Sequence, residues 1–191
     1  MDVTQDERYS VADEAIYDAF FELLKTKGIE KITVSDVIKK AGVVRSTFYN
    51  HYENIPALIS AIEDKTIEDI FSLMESFRPQ NDYDVCYSYF LVLCNYTQNN
   101  SFLSELLGSP RCDEFFEKSM TMFHRYVRQV MKEKIPVSHT KEEISYAVAA
   151  VIGATVGILH KWTREKCVVP AETIADTLAK IFITGIWPLL S

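Results

Sequence analysis

Eight consecutive residues, Val44-Arg45-Ser46-Thr47-Phe48-Tyr49-Asn50-His51, hold a guanidinium, two hydroxyls, a phenol, an amide and an imidazole. These groups suit recognition of a nucleic acid better than bond-making. A guanidinium can fork onto guanine or hold a phosphate. Thr47 offers a hydroxyl and a methyl to a base or to the backbone. Tyr49 and His51 suit phosphate contacts, which position a protein on DNA without specifying sequence. Thr33, Val44, Ser46 and Asn50 complete the set of expected DNA contacts.

Such groups need a scaffold, and residues 33–52 read as two short helices joined by a tight turn. Thr33 stands where an N-cap belongs, and Asp36 is a short stand-in for the usual Glu or Gln of a capping box. Val34, Val37, Ile38 and Ala41 fall on one helical face. Gly42 follows, the residue type that tolerates positive φ where a helix stops sharply. Val43 can anchor the turn. The second helix is expected from about Val44 to Asn50, with Phe48 and Tyr52 inward and Arg45, Ser46, Thr47, Tyr49 and His51 outward or at the ends. The arrangement is that of a helix-turn-helix with its second helix in the major groove.

The segment resembles the DNA-binding motif of the tetracycline-repressor (TetR) family. The matching residues are Ile32-Thr33-Val34, Ile38, Ala41-Gly42-Val43, Thr47-Phe48-Tyr49, His51-Tyr52 and Leu58. The resemblance covers roughly residues 9–62. It implies a preceding helix packed beneath the motif, and Ser10 to Lys27 fits, with Ile16, Ala19, Phe20, Leu23 and Leu24 as its stripe and Gly28 as its end. Two departures stand out. Ile55, followed by Pro56, replaces a Lys that often meets a DNA phosphate, and Ser46 stands where Gly is common. Asn54 and Pro56 still make a sound helix start.

The net charge of −7 over 191 residues does not advertise a nucleic-acid binder. Residues 25–52 run against it, with six basic groups and two acidic ones. Acidity elsewhere should weaken non-specific DNA binding. Hydrophobic residues make up 48%, enough for a real core. Cys86, Cys94, Cys112 and Cys167 form no metal-like or C-x-x-C spacing and read as reduced thiols, with redox sensing a minor alternative. The acidic, polar N-terminus does not read as a signal peptide. The apolar stretch Ile144 to Leu159 is shorter than the ~20 residues of a membrane span and is expected at a protein interface. The expected location is the cytoplasm.

Beyond Leu58 every long segment has helical period, broken near Arg78-Pro79, Gly108-Ser109-Pro110 and Pro136. Ser101 and Thr140 read as helix caps, the latter with Glu143 as a capping box. The expected fold is all-α, about nine helices, with a three-helix head over residues 1–55 and a six-helix body over residues 56–191. In the TetR family the last two helices form a four-helix bundle across a two-fold axis. Ala150, Gly153, Ala154 and Gly157 are small enough for close helix approach, and Ile174, Leu178, Ile181 and Phe182 supply a partner stripe. A homodimer is expected, with a core role in a monomer as the alternative.

Residues 83–126 are rich in aromatic side chains. Tyr83, Tyr87, Phe90, Cys94, Phe116, Met120 and Phe123, with Trp162 from a later helix, are expected to line a site for a small hydrophobic or aromatic effector. Plain core packing is the competing reading for each of them. The separations of His124, His139 and His160 match no metal motif, and no nucleophile elbow, P-loop or Rossmann loop is present. Neither cofactor nor catalysis is expected. The resemblance implies a repressor of a palindromic double-stranded DNA operator, released by its effector. A helical small-molecule-binding protein, or an adaptor that no longer binds DNA, is the alternative.

Overall fold

The computed structural model describes residues 5–78, 81–108, 112–134 and 140–189. Among them are nine α-helices and no strand: α1 (Gln5–Leu24), α2 (Val34–Ala41), α3 (Arg45–His51), α4 (Ile55–Phe77), α5 (Tyr83–Asn99), α6 (Ser101–Gly108), α7 (Cys112–Lys134), α8 (Lys141–Arg164) and α9 (Ala171–Ile181). Two compact units are formed, Met1–Lys65 and Thr66–Ser191. The division falls inside α4, whose first turns bury Leu58, Ile59 and Ile62. The breaks expected at Pro79, Pro110 and Pro136, and His139, lie outside the described residues.

In the first unit α1 buries Ile16, Ala19, Phe20 and Leu24. It begins earlier than Ser10 and ends at Leu24. Gly28 does not cap it. Its φ of −63° and ψ of 149° are extended, and it leads instead into a 3₁₀ turn over Ile29–Lys31. The end of α1 is closed locally, with the Thr26 and Lys27 amides both donating to the Leu23 carbonyl. Thr33 caps α2, accepting from the Asp36 amide at 3.2 Å while the Asp36 carboxylate accepts from the Thr33 amide at 3.0 Å. Gly42 ends α2 at φ 67°, in the left-handed region open to a residue without a β-carbon. Asn54 caps α4 by accepting from the Ala57 amide.

The Lys27 ammonium donates to Asp36 at 2.7 Å. That bond, then the Thr33 hydroxyl and amide, lowers the Asp36 carboxyl from its ordinary 3.8 to about 2. A carboxylate with a depressed folded-state pKa stabilises the fold fully above its unfolded value and loses that contribution as pH falls through the folded one. The Tm difference between wild type and Asp36→Asn is therefore expected to be flat above about pH 5 and to shrink toward about pH 2 in thermal melts.

The second unit is built on α5 and α9, which pack closely, with α6 and α7 against α8. Asp82 caps α5 and accepts from the Val85 amide. Asn100, rather than Ser101, caps α6, accepting from the Leu103 amide at 2.9 Å. Thr140 and Glu143 form the capping box of α8. Phe90 of α5 meets Phe182 at a centroid distance of 6.2 Å, and Phe71 of α4 meets Phe123 of α7 at 6.1 Å. The end of α9 widens into a π-helical turn over Phe182–Ile186 and a 3₁₀ turn over Trp187–Leu189.

Between α8 and α9 the chain reverses through Lys166 and Cys167, with φ of 57° and 53°. Trp162, 1% exposed, fixes this turn from within, its indole N–H donating to the Val169 carbonyl at 2.7 Å. The α8 segment Glu142–Arg164 is long and apolar enough to cross a membrane by length and composition, against the expectation from Ile144 to Leu159 alone. Ala147, Val148, Leu159 and Trp162 of the same helix are buried inside the unit.

Candidate nucleic-acid interface

A seven-residue helix cannot hold itself together in water, so α3 must be held by its neighbours. Phe48 does this: it is 0% exposed and is the buried residue of α3. Its ring meets Tyr49 edge-on at 5.7 Å and Tyr52 at 6.0 Å. With Phe48 inward, Val44, Arg45, Ser46, Tyr49 and Asn50 are exposed and Thr47 is half-buried. Val44 is 65% exposed and, as N-cap, makes no side-chain hydrogen bond. The Thr33 hydroxyl is engaged by Asp36, donating to its carboxylate at 2.7 Å.

His51, at the end of α3, is turned inward. Its side chain is 3% exposed, with Nδ1 3.3 Å from the Asp13 carboxylate of α1. The Tyr52 hydroxyl donates to the same carboxylate. Burial first, and then this bond, raises the Tyr52 phenol far above its ordinary range. Tyr17 lies 6.2 Å from Tyr52, and the Lys65 ammonium sits 5.2 Å over the Tyr17 ring. The end of the outward-facing helix is thus tied to α1 through Asp13, a residue with no sequence signal of such a role. Asp13→Ala should destabilise the head by about 1–3 kcal/mol, the usual cost of stranding buried polar groups, and Asp13→Asn by less, as read by chemical denaturation.

The basic groups near the motif are not equivalent. Lys25 and Lys27 are engaged by Glu22 and Asp36. Lys39 and Lys40, in the last turn of α2, are exposed, as is Arg45. The Arg45 guanidinium lies 5.5 Å over the Tyr49 ring and donates to the Tyr49 hydroxyl at 3.2 Å.

In the second unit the residues expected to line an effector site are not equally placed. Phe90, Cys94, Phe123 and Trp162 are buried. Tyr87, Phe116 and Met120 are half-buried and Tyr83 is exposed. Tyr83 stacks on Tyr87 at 6.0 Å and donates to Asp176 of α9 at 2.5 Å, which pushes its phenol up to about 12. Trp162 faces the α8–α9 turn, its N–H already used by Val169. Burial pushes the Cys94 thiol up to about 12 and raises Cys112 and Cys167. Such thiols hold little reactive thiolate at neutral pH. The His160 Nδ1–H donates to the Leu107 carbonyl, which gives that ring a role between α6 and α8.

The residues expected at a dimer surface also divide. Leu178 and Phe182 are buried within the unit, 2% and 8% exposed. They belong to the packing of α9 on α5, a partner within the chain that an apolar stripe alone does not distinguish from a second copy. Ala150 and Gly157 are exposed, and Gly153, Ala154, Ile174 and Ile181 are half-buried. Beside them on α8, Tyr146 is 78% exposed.

Residues 16–62 match the family described as bacterial regulatory proteins, tetR family, and residues 84–184 match the transcriptional regulator C-terminal region. The chain belongs to the tetR family of transcriptional regulators. Over 54 residues, 28% of each chain, it is 39% identical to the uncharacterized HTH-type transcriptional regulator YvdT of Bacillus subtilis (strain 168). Over 90 residues it is 30% identical to DhaS of Lactococcus lactis subsp. lactis (strain IL1403), an HTH-type dhaKLM operon transcriptional activator, covering 47% of this chain and 45% of that protein. The chain thus spans less than half the length of either relative. The transcriptional regulator FadR from Bacillus subtilis, solved in complex with stearoyl-CoA, shares this fold. It superposes with a TM-score of 0.64 at 12% identity, over 93% of this chain and 99% of that one.

Proposed function

We propose that this tetR-family regulator binds a palindromic operator as a homodimer through α3 and that a small hydrophobic or aromatic effector in the body releases it. The observation that carries the DNA reading is the outward face of α3. Arg45, Ser46, Tyr49 and Asn50 are exposed on a helix whose buried Phe48 fixes which way that face points. The acidity of the rest of the chain confines favourable phosphate attraction to this small basic region. Repression is the direction proposed, although DhaS is named an activator.

The small residues Ala150 and Gly157, exposed beside Tyr146 on α8, support pairing with a second copy. Such pairing would also cover the apolar surface of α8. A cytoplasmic protein is proposed on that basis. For the effector, Tyr83, Tyr87, Phe116 and Met120 are the members of the expected set with surface left for a ligand. The stearoyl-CoA bound by FadR supports a body that accepts an apolar chain. An effector that binds the DNA-incompetent state more tightly must itself be bound less tightly on DNA, by the same factor.

The test is a gel-shift titration of the full chain against the DNA flanking its own gene and against a random-sequence library. A sequence-selective complex that weakens steeply with salt is expected, with twice the footprint of one head. Failure to select any sequence would remove the DNA reading and leave a small-molecule-binding or adaptor role.

A further inference from the structure

We propose that Tyr49 is a positioning residue for Arg45, and that the two act as one unit that reads a guanine. The proposal rests on the reading of α3 as the DNA-contacting helix. Arg45 and Tyr49 lie one turn apart, and their side chains meet in two ways at once. The guanidinium lies over the ring at 5.5 Å from its centroid, and one terminal NH₂ donates to the phenol oxygen at 3.2 Å. An exposed arginine otherwise samples many rotamers and loses that freedom when it docks. Here the ring contact and the hydroxyl together restrict where the guanidinium can lie.

The chemistry then favours one base. A guanidinium has five N–H donors in a rigid fork. One is used by Tyr49, and a free edge still matches the two acceptors of guanine in the major groove, O6 and N7. A phosphate would accept from an arginine in many orientations and has no need of a held one. Tyr49 is itself held, because its ring lies edge-on against buried Phe48 at 5.7 Å. The rigidity of the head therefore reaches the guanidinium through a chain of two rings.

The rival role for Tyr49 is a direct phosphate contact, and the two roles differ in what is lost. With an operator selected from a random library, each guanine is replaced in turn by 7-deazaguanine, which lacks the N7 acceptor. Wild type is expected to lose about tenfold or more in affinity at one guanine per half-site. Arg45→Ala should be indifferent to the replacement there. Tyr49→Ala should show a penalty reduced several-fold at that guanine alone, and Tyr49→Phe, which keeps the ring contact, an intermediate one. The Arg45→Ala and Tyr49→Ala losses should be strongly non-additive in a double-mutant cycle. Equal loss on all sequences for Tyr49→Ala, with the full deazaguanine penalty retained, would overturn the proposal and leave DNA binding standing. Failure to select any operator would overturn both.

Discussion

Phe48→Ala is expected to cost the head about 3–5 kcal/mol, the usual penalty for emptying a fully buried aromatic site. The size of the effect follows from the shortness of α3. Seven residues cannot nucleate and hold a helix without a tertiary anchor. Phe48 is that anchor, and its ring is also the surface against which Tyr49 and Tyr52 pack. Losing it removes both the anchor and its ring contacts with Tyr49 and Tyr52, worth a further ~1 kcal/mol for each aromatic pair. Differential scanning calorimetry should show an early transition in the variant. Hydrogen exchange should place that transition in residues 33–62 while the amides of α5 and α9 stay protected. Phe48→Leu, which keeps most of the volume, should cost less than about 1.5 kcal/mol and retain the cooperative melt. Equal loss in both variants would mean that the site tolerates an empty volume and that α3 is held by something else.

Trp162→Ala should have a comparable effect on the second unit, about 3–5 kcal/mol. Trp162 is 1% exposed and carries a single polar group, an N–H spent on Val169. The substitution therefore opens a large void and removes the donor that holds the α8–α9 turn. Trp162→Phe separates the two losses. It restores most of the apolar volume and still lacks the N–H, so its deficit should be nearer the ~1 kcal/mol of one hydrogen bond plus the smaller ring. Urea unfolding measures both. Exchange of the Cys167 amide, which donates to the Trp162 carbonyl at 2.9 Å, should quicken in both variants. Protection of that amide unchanged in Trp162→Ala would show that the turn does not depend on the indole.

What was legible in the sequence was local. The Thr33–Asp36 and Thr140–Glu143 boxes each close within four residues, so residue type and spacing suffice to see them. Gly42 is visible for the same reason, since a single φ decides it. The inward placing of Phe48 and Tyr52 needs only the helical period. The placements that spacing does not decide depend on a partner from far along the chain. His51 is drawn inward by Asp13, which no spacing rule connects to it. Leu178 and Phe182 form a stripe that reads equally well against α5 or against a second copy. Gly28 shows a subtler limit. Glycine tolerates positive φ but does not require it, and here the chain simply extends. Asn100 and Ser101 are both good caps side by side, and composition does not choose between them.

The reversal between α8 and α9 has a consequence for how the chain can change. Lys166 and Cys167 both carry a β-carbon in left-handed backbone, at φ of 57° and 53°. That conformation costs an ordinary residue about 1–2 kcal/mol. Glycine at position 166, an exposed site, should therefore raise the stability of the second unit by about 1 kcal/mol, a shift visible in its melting temperature. The strain is a latent capacity for adaptation. A lineage, or a selection experiment, that reshapes the aromatic interior for a new ligand at some cost in stability can recover the loss with one codon change at this turn. Mutations at 166 or 167 are where such compensation should first accumulate.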